Sequence, residues 1–396
     1  MTGARGWAEE ALELLFRRVE ETAGQVGARF PLYADPDDGR WTTTGRGSWT
    51  GGFWAGLLWL RARHTGVAAD RSAASAVTAR LAPWAEADTA TRGLILWYGT
   101  APAAEDDAAA GLRERAAKTA LAAWDPELGL VPWGTALGGP RLRARADGVP
   151  GLVPLLASAG PEGRTAAAAH LHRHLDLCLP GEAPGRPRPS WRWDEARGGW
   201  AAEPEPAPGW ARGEAWLLLA VADGLLRAEG GTPWRTDRLT AATEQLFQQG
   251  EFLDGPLVPP AESAEATDPG DHGGPGGPGG PGDPGDPGGH LDTSAAAIAA
   301  VALLKLAQLS GAAWATACAA RSEAVLRHLV DVHLTRPAGN RPAGAGPAGT
   351  RPAGMLLDGC YEAKSGTAVR HELVWGDFFL ALGLAGLLGR VDLTRV

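Results

Sequence analysis

Apolar residues recur every three to four positions along most of the chain, and nowhere do they alternate convincingly with polar ones. This period predicts helices over 5–24, 51–64, 70–87, 92–102, 108–124, 150–159, 161–179, 210–229, 233–251, 292–310, 312–334 and 372–389, and no strand. The pattern differs between alternate members of the series. Even-numbered helices are small and apolar all round, as in "GLVPLLASAG", "SAAAIAAVALLKLA" and "WGDFFLALGLAGLLG". Odd-numbered ones carry the charge, as in "WAEEALELLFRRVEETAG". A helix apolar on every face belongs inside a larger helical protein, whereas an amphipathic one faces water. Six antiparallel hairpins in a ring, even helices inside and odd helices outside, satisfy both patterns. The expected architecture is therefore an (α/α)6 barrel, formed as one domain over residues 1–396.

Two segments interrupt the helical pattern. Residues 261–290 and 335–354 are dominated by glycine and proline, the second repeating "RPAG", and neither can bury apolar area. They read as low-complexity expansions of connecting loops. The "GGPGGPGGP" run is too short for a collagen-like triplet repeat. Domain boundaries are not expected there, since helices of the same character resume after each.

Composition narrows the function. A net charge of −9 without a basic stripe argues against nucleic acid as a partner. No apolar run is long enough to span a membrane, and the first residues lack the apolar core of a signal peptide. Cys178, Cys318 and Cys360 have no metal-ligand spacing and read as free thiols in a reducing compartment, so the cytoplasm is the expected location. No metal or cofactor is implied. Seventeen tryptophans against three tyrosines suit a core and also flat platforms for sugar rings.

Unusual clusters stand before the even helices: "GSWTGGFW", "RARADGVPG", "APGWARGEAW", "HLDTSAAAIAA" and "RHELVWGDFF". In an up-and-down ring these would share one rim. Helix amino ends present unpaired N–H groups and partial positive charge, which favours anions. Arg212 adds a guanidinium fork, with tryptophans at 49, 54, 133, 210 and 216 around it. A small acidic oligosaccharide fits this description.

These clusters resemble glycoside hydrolase family 88, the unsaturated glucuronyl hydrolases, and more distantly the unsaturated rhamnogalacturonyl hydrolases of family 105. The resemblance rests on "WTGGFWAGLLWL" (49–60), "ADGVPGLVPLLASAG" (146–160), "GWARGEAW" (209–216), "LDTSAAAIAAVALLKL" (291–306) and "WGDFFL" (375–380), in the family's order. It implies the (α/α)6 barrel and a metal-free reaction. An aspartic acid protonates carbon 4 of a 4,5-unsaturated uronic acid, water adds at carbon 5, and the hemiketal opens with loss of the glycosidic bond. By this correspondence Asp147 is the catalytic acid. Arg212, Trp210, Trp216, Trp49 and Trp133 contact the sugar. Asp292 reads as a helix cap, and Asp377 as a group satisfying buried backbone or an arginine.

The sequence also departs from the family. A His-Asp-Leu-Gly-Phe motif expected at the fourth helix becomes "TATRGLILWYG", with Arg92 and Gly93 in place of histidine and aspartate. Arg92 is consequently a candidate contact to substrate. Asp88, five residues before Gly93, is too far along to replace the lost aspartate. An asparagine-bearing "MMNL" becomes "PGLV", and the loop expected to carry a histidine reads "RPSWRWDEARGGW". Three functions compete: the hydrolase, a sugar-binding protein that has lost catalysis, and another carbohydrate enzyme. The last needs a further acid or histidine at the rim, for which His371–Glu372 is the candidate pair.

Overall fold

The computed structural model describes residues 5–103, 105–179, 185–228, 233–263, 289–337 and 351–396. Its helices follow the predicted order: α1 (Gly6–Val26), α2 (Gly51–Thr65), α3 (Ala68–Ala79), α4 (Tyr98–Thr100), α5 (Asp107–Ala122) and α6 (Leu152–Ala157). Then come α7 (Gly160–Cys178), α8 (Ala211–Leu226), α9 (Thr236–Gln249), α10 (Thr293–Leu306), α11 (Ala315–His328) and α12 (Val374–Leu387). The short α4 continues a π-helical turn, Gly93–Trp97, and runs into a 3-10 turn, Ala101–Ala103.

The even helices close a ring: α2 packs on α4, the Gly93–Trp97 turn on α6, α6 on α8, α8 on α10, α10 on α12 and α12 back on α2. The odd helices pack outside it, α3 against α2, α7 against α6, α9 against α8 and α11 against α10. This is the (α/α)6 barrel. Burial agrees with the sequence pattern, for α8 is buried from Ala211 to Leu225, whereas α3 buries only Ala74 and Thr78. Alanine and glycine allow the inner helices to approach closely. At Gly56 on α2, a β-carbon would strike the Phe378 ring of α12. Among the described residues, most buried apolar side chains from Ala8 to Val396 form one continuous cluster, with a small second one at Leu130, Ala144 and Leu177.

Two small antiparallel sheets correct the expectation of no strand. One joins β1 (Phe30–Ala34), β2 (Trp41–Thr44) and β6 (Glu372–Leu373) in the order β2-β1-β6. The other joins β3 (Arg143–Arg145), β4 (Ser190–Asp194) and β5 (Gly199–Ala202) in sequence order. None exceeds five residues, and an irregularity between Pro31 and Tyr33 breaks the alternation that would have marked β1. "RPSWRWDEARGGW" is thus a hairpin.

Residues 264–288 and 338–350 of the two glycine-proline segments lie outside the described residues. Their flanks are pinned. The Ala261 N–H donates to the His290 carbonyl at 2.6 Å, and Gly354 N–H to the Thr335 carbonyl at 2.8 Å. No helix among the described residues is long and apolar enough to cross a membrane.

Candidate active site

The amino ends of the inner helices surround a bowl of about 580 Å³. Trp49 enters from the flank of α2, Leu94 from the turn before α4, Asp147 from the turn before α6, and Trp210, Arg212 and Trp216 from α8. Two loops complete the wall, at Ala261–Glu262 and at Cys360–Lys364 ahead of α12. Six of the residues singled out in the sequence, Asp147, Trp49, Trp133, Trp210, Arg212 and Trp216, converge here. Arg92 and Trp54 do not line it. Trp54 lies in the core with Arg18 and Glu372, and Arg92 is buried with its Nη2 bonded to the Ala87 carbonyl. Burial away from carboxylates lowers the Arg92 pKa; Glu86 and Asp88 only partly offset this.

Asp147 is held by three neighbouring elements. Strand β3 places Ala146, whose N–H donates to the Pro189 carbonyl at 2.8 Å. Behind the turn, His170 of α7 accepts from Val131 N–H at 3.1 Å and faces the Gly148 carbonyl at 3.4 Å. With Nδ1 accepting, its proton sits on Nε2 and points to that carbonyl. Burial drives the His170 pKa well down, so the ring is neutral. In front, Arg145 grips the carboxylate with both ends of its fork, Nε to Oδ1 at 2.9 Å and Nη2 to Oδ2 at 3.1 Å. Its guanidinium lies 5.0 Å from the centre of the Trp133 ring.

Arg212 has an acid partner inside the protein. Its Nη1 donates to Asp292 Oδ2 at 2.6 Å and to the Cys360 carbonyl, and its Nη2 to the Tyr361 carbonyl at 2.8 Å. Asp292 caps α10 as expected, its Oδ1 accepting from Ser294 N–H at 3.0 Å, and also holds Arg212. Trp216 forms floor rather than wall, being buried and stacked with Phe53 at 6.3 Å. Trp49 and Tyr361 stack in parallel at 6.4 Å across the opening.

The position of the missing family aspartate is closed. A β-carbon on Gly93 would lie 2.5 Å from the Gly151 carbonyl carbon and 2.6 Å from Leu152 Cα, and closer still to the Leu152 nitrogen. Gly151 enters α6 with φ +69°, and its own β-carbon would meet the Gly93 carbonyl. The two departures in "TRGLIL" and "PGLV" are thus one contact, backbone on backbone. Asp88 instead accepts from the Thr135 hydroxyl at 3.1 Å on an exposed edge. Of the candidate pair for a different chemistry, Glu372 is fully buried against Arg18 at 2.6 Å, and His371 bonds the Val369 carbonyl. Neither lines the bowl. Trp191, Arg192 and Trp193 do not line it either.

The lining also holds groups that were not anticipated, among them Arg143, Arg145, Tyr361, Lys364 and the carboxylates of Glu205, Glu262 and Glu362. Arg143 is held by Glu203 (Nη2 to Oε1, 2.8 Å) and Lys364 by Glu205. Arg145 was visible two residues before Asp147 in "RARADG", but only a strand there turns it to the same side. No group of three or more histidine, cysteine or acidic residues among the described residues is arranged to hold a metal.

No family model and no curated protein matches the chain. Solved structures do. The unsaturated glucuronyl hydrolase from Bacillus sp. GL1, described as responsible for degradation of glycosaminoglycan, superposes with a TM-score of 0.73 at 21% identity, over 96% of each chain. An unsaturated glucuronyl hydrolase specific for heparin gives 0.73 at 17% identity, covering 98% of this chain and 100% of that one. A Streptococcus agalactiae enzyme variant complexed with dGlcA-GalNAc6S gives 0.65 at 16% identity, over 95% and 90%. The chain has the fold of the unsaturated glucuronyl hydrolases.

Proposed function

We propose that the protein hydrolyses 4,5-unsaturated glucuronyl oligosaccharides, with Asp147 as proton donor. The observation that carries this reading is the meeting of Asp147 with Trp49, Trp133, Trp210, Arg212 and Trp216 in one bowl. The fold around it is shared with unsaturated glucuronyl hydrolases. In the reaction the Asp147 proton passes to carbon 4 of the vinyl ether, and a water oxygen bonds to carbon 5. The Asp147 carboxylate then takes the surplus proton from that oxygen, so one carboxyl acts first as acid and then as base. The hemiketal opens and the glycosidic C–O bond breaks. A second carboxylate at ordinary glycosidase spacing is not required. Indole faces of Trp49 and Trp210, both half-buried at the wall, supply stacking surfaces for the sugar.

The test is direct. Incubation with a lyase-generated unsaturated disaccharide should remove the ultraviolet absorbance of the conjugated alkene, and Asp147→Asn should abolish that loss. Persistent absorbance with wild-type protein refutes the assignment.

One observation favours a binding protein without turnover: Gly93 leaves no room for the family's aspartate. Calorimetric binding of the same disaccharide with no loss of alkene would establish that alternative. Three buried free thiols support a cytoplasmic location for either. Burial pushes each of them up to about 12, which keeps them unreactive.

A further inference from the structure

The bowl contains four cationic side chains, and each is already paired. Arg212 is committed to Asp292 and two carbonyls, Arg143 to Glu203, and Lys364 to Glu205. Arg145 alone is paired with the residue that the reaction requires to carry a proton. To donate a proton Asp147 must first hold one, and a protonated carboxyl no longer balances the guanidinium. Arg145 would then stand in the bowl, partly shielded from water and stacked on Trp133, with only the Glu203 charge, itself bonded to Arg143, to balance it. An incoming uronate carboxylate supplies a counter-charge of its own.

We propose that Arg145 is the carboxylate-recognising residue of the bowl, and that a bound uronate takes its guanidinium from Asp147 while Asp147 takes up a proton. The inference rests on the hydrolase reading of the site. It makes the acid group of the sugar the trigger for the acid group of the protein. Neutral sugars leave the Arg145–Asp147 pair closed. Other ionisable groups face the same space. Glu262 and Glu362 line the bowl, Glu203 lies behind Arg143, and His174 of α7 lies behind Asp147. The last is kept neutral by burial, with a pKa of about 4. Variants at 145 and 147 separate the proposed pair from these groups.

The experiment uses a saturated glucuronyl disaccharide, which binds without turnover, and its methyl ester. Calorimetry in buffers of different ionisation enthalpy should give uptake of about one proton per acid bound to wild type, and none for the ester. Arg145→Gln should weaken acid binding by about 10- to 100-fold, leave ester binding unchanged, and abolish proton uptake. Arg145→Lys, which keeps the charge and loses the fork, should fall between. Asp147→Asn frees Arg145 and should bind the acid more tightly than wild type, again with no proton uptake. Equal acid-to-ester preference in wild type and Arg145→Gln overturns the inference, as does acid binding without proton uptake. Failure of the parent reading looks different: uronate binds with proton uptake, yet the unsaturated disaccharide keeps its alkene absorbance. If neither the acid nor the unsaturated disaccharide binds, both fall.

Discussion

Restoring the residue that the family carries at position 93 should damage this protein rather than improve it. The atoms that a side chain there would meet are all backbone, at Gly151 and Leu152 on the first turn of α6. Ordinary contact begins near 3.4 Å, and a β-carbon would sit 2.6 Å from Leu152 Cα. The strand-to-helix junction must therefore move by about 0.8 Å or more, and it cannot do so by rotating a side chain. Gly151 stands at φ +69° with no room for a β-carbon beside the Gly93 carbonyl, so the chain is already close-packed there and the easiest route of escape is removed. The expected cost of Gly93→Ala is about 3 kcal/mol, near the upper end for overpacking, or roughly a hundredfold in the folding equilibrium.

Gly93→Asp should cost more, because it also encloses a carboxylate. Adjacent helix positions point in different directions, so Arg92 is not placed to receive it. Urea unfolding followed by tryptophan fluorescence measures both, with the midpoint falling at constant slope. Gly111→Ala on the exposed face of α5 is the control. A β-carbon there meets nothing within 4 Å, and the change should stabilise by up to about 1 kcal/mol. Since the displaced turn carries Asp147, turnover should fall with stability in the Gly93 variants. A Gly93→Asp protein of wild-type midpoint and higher activity would refute the reasoning.

Two further outcomes concern buried charge. Lys305 donates to Asp223 at 2.7 Å with both side chains fully buried, so Lys305→Met should cost about 3 kcal/mol by leaving Asp223 only to Arg227. Lys305→Met combined with Asp223→Leu should recover most of that loss in urea unfolding, and no recovery would contradict the pairing. Asp377 is driven well above the ordinary carboxylate range by burial and then by the adjacent Glu372 charge. A group raised on folding stabilises below its unfolded value and loses that contribution as pH climbs toward the folded one. Asp377→Asn, which mimics the protonated form, should therefore gain relative to wild type as pH rises above about 4, the ordinary carboxylate value. A midpoint difference independent of pH would show that Asp377 is ionised in the fold.

The barrel was legible because its inner helices are apolar on all faces, a signal that needs no knowledge of partners. The candidate rim was legible for a different reason: the clusters around Trp49, Asp147 and Arg212 stand at alternate helix starts. What stayed hidden were pairings between distant positions. Arg212 and Asp292 are 80 residues apart, and Arg18 and Glu372 are 354 apart, so nothing local marks either as an ion pair. The strands were hidden by length. With β3 only three residues long, nothing local in the sequence turns Arg143 and Arg145 toward the bowl. Arg92 was misleading in the opposite sense, since its place in the motif suggested the rim and its position just before the π-helical turn buries it.

Arg212 illustrates how a residue can be essential to a site without meeting the ligand first. Three of its donor contacts close the gap between α8, the cap of α10 and the loop ahead of α12. That loop carries Tyr361, whose ring stacks on Trp49, and Lys364, which answers Glu205 across the opening. The guanidinium also lies 5.2 Å from the Trp210 ring centre and 5.5 Å from that of Trp375. Three of the five N–H donors of this fork are taken by fixed acceptors, which leaves fewer for a sugar carboxylate. These contacts tie together the part of the bowl wall made by α8 and the loop ahead of α12. On the proposal above, recognition of the acid falls to Arg145 and shaping of the cavity to Arg212, both in the lining of the same bowl.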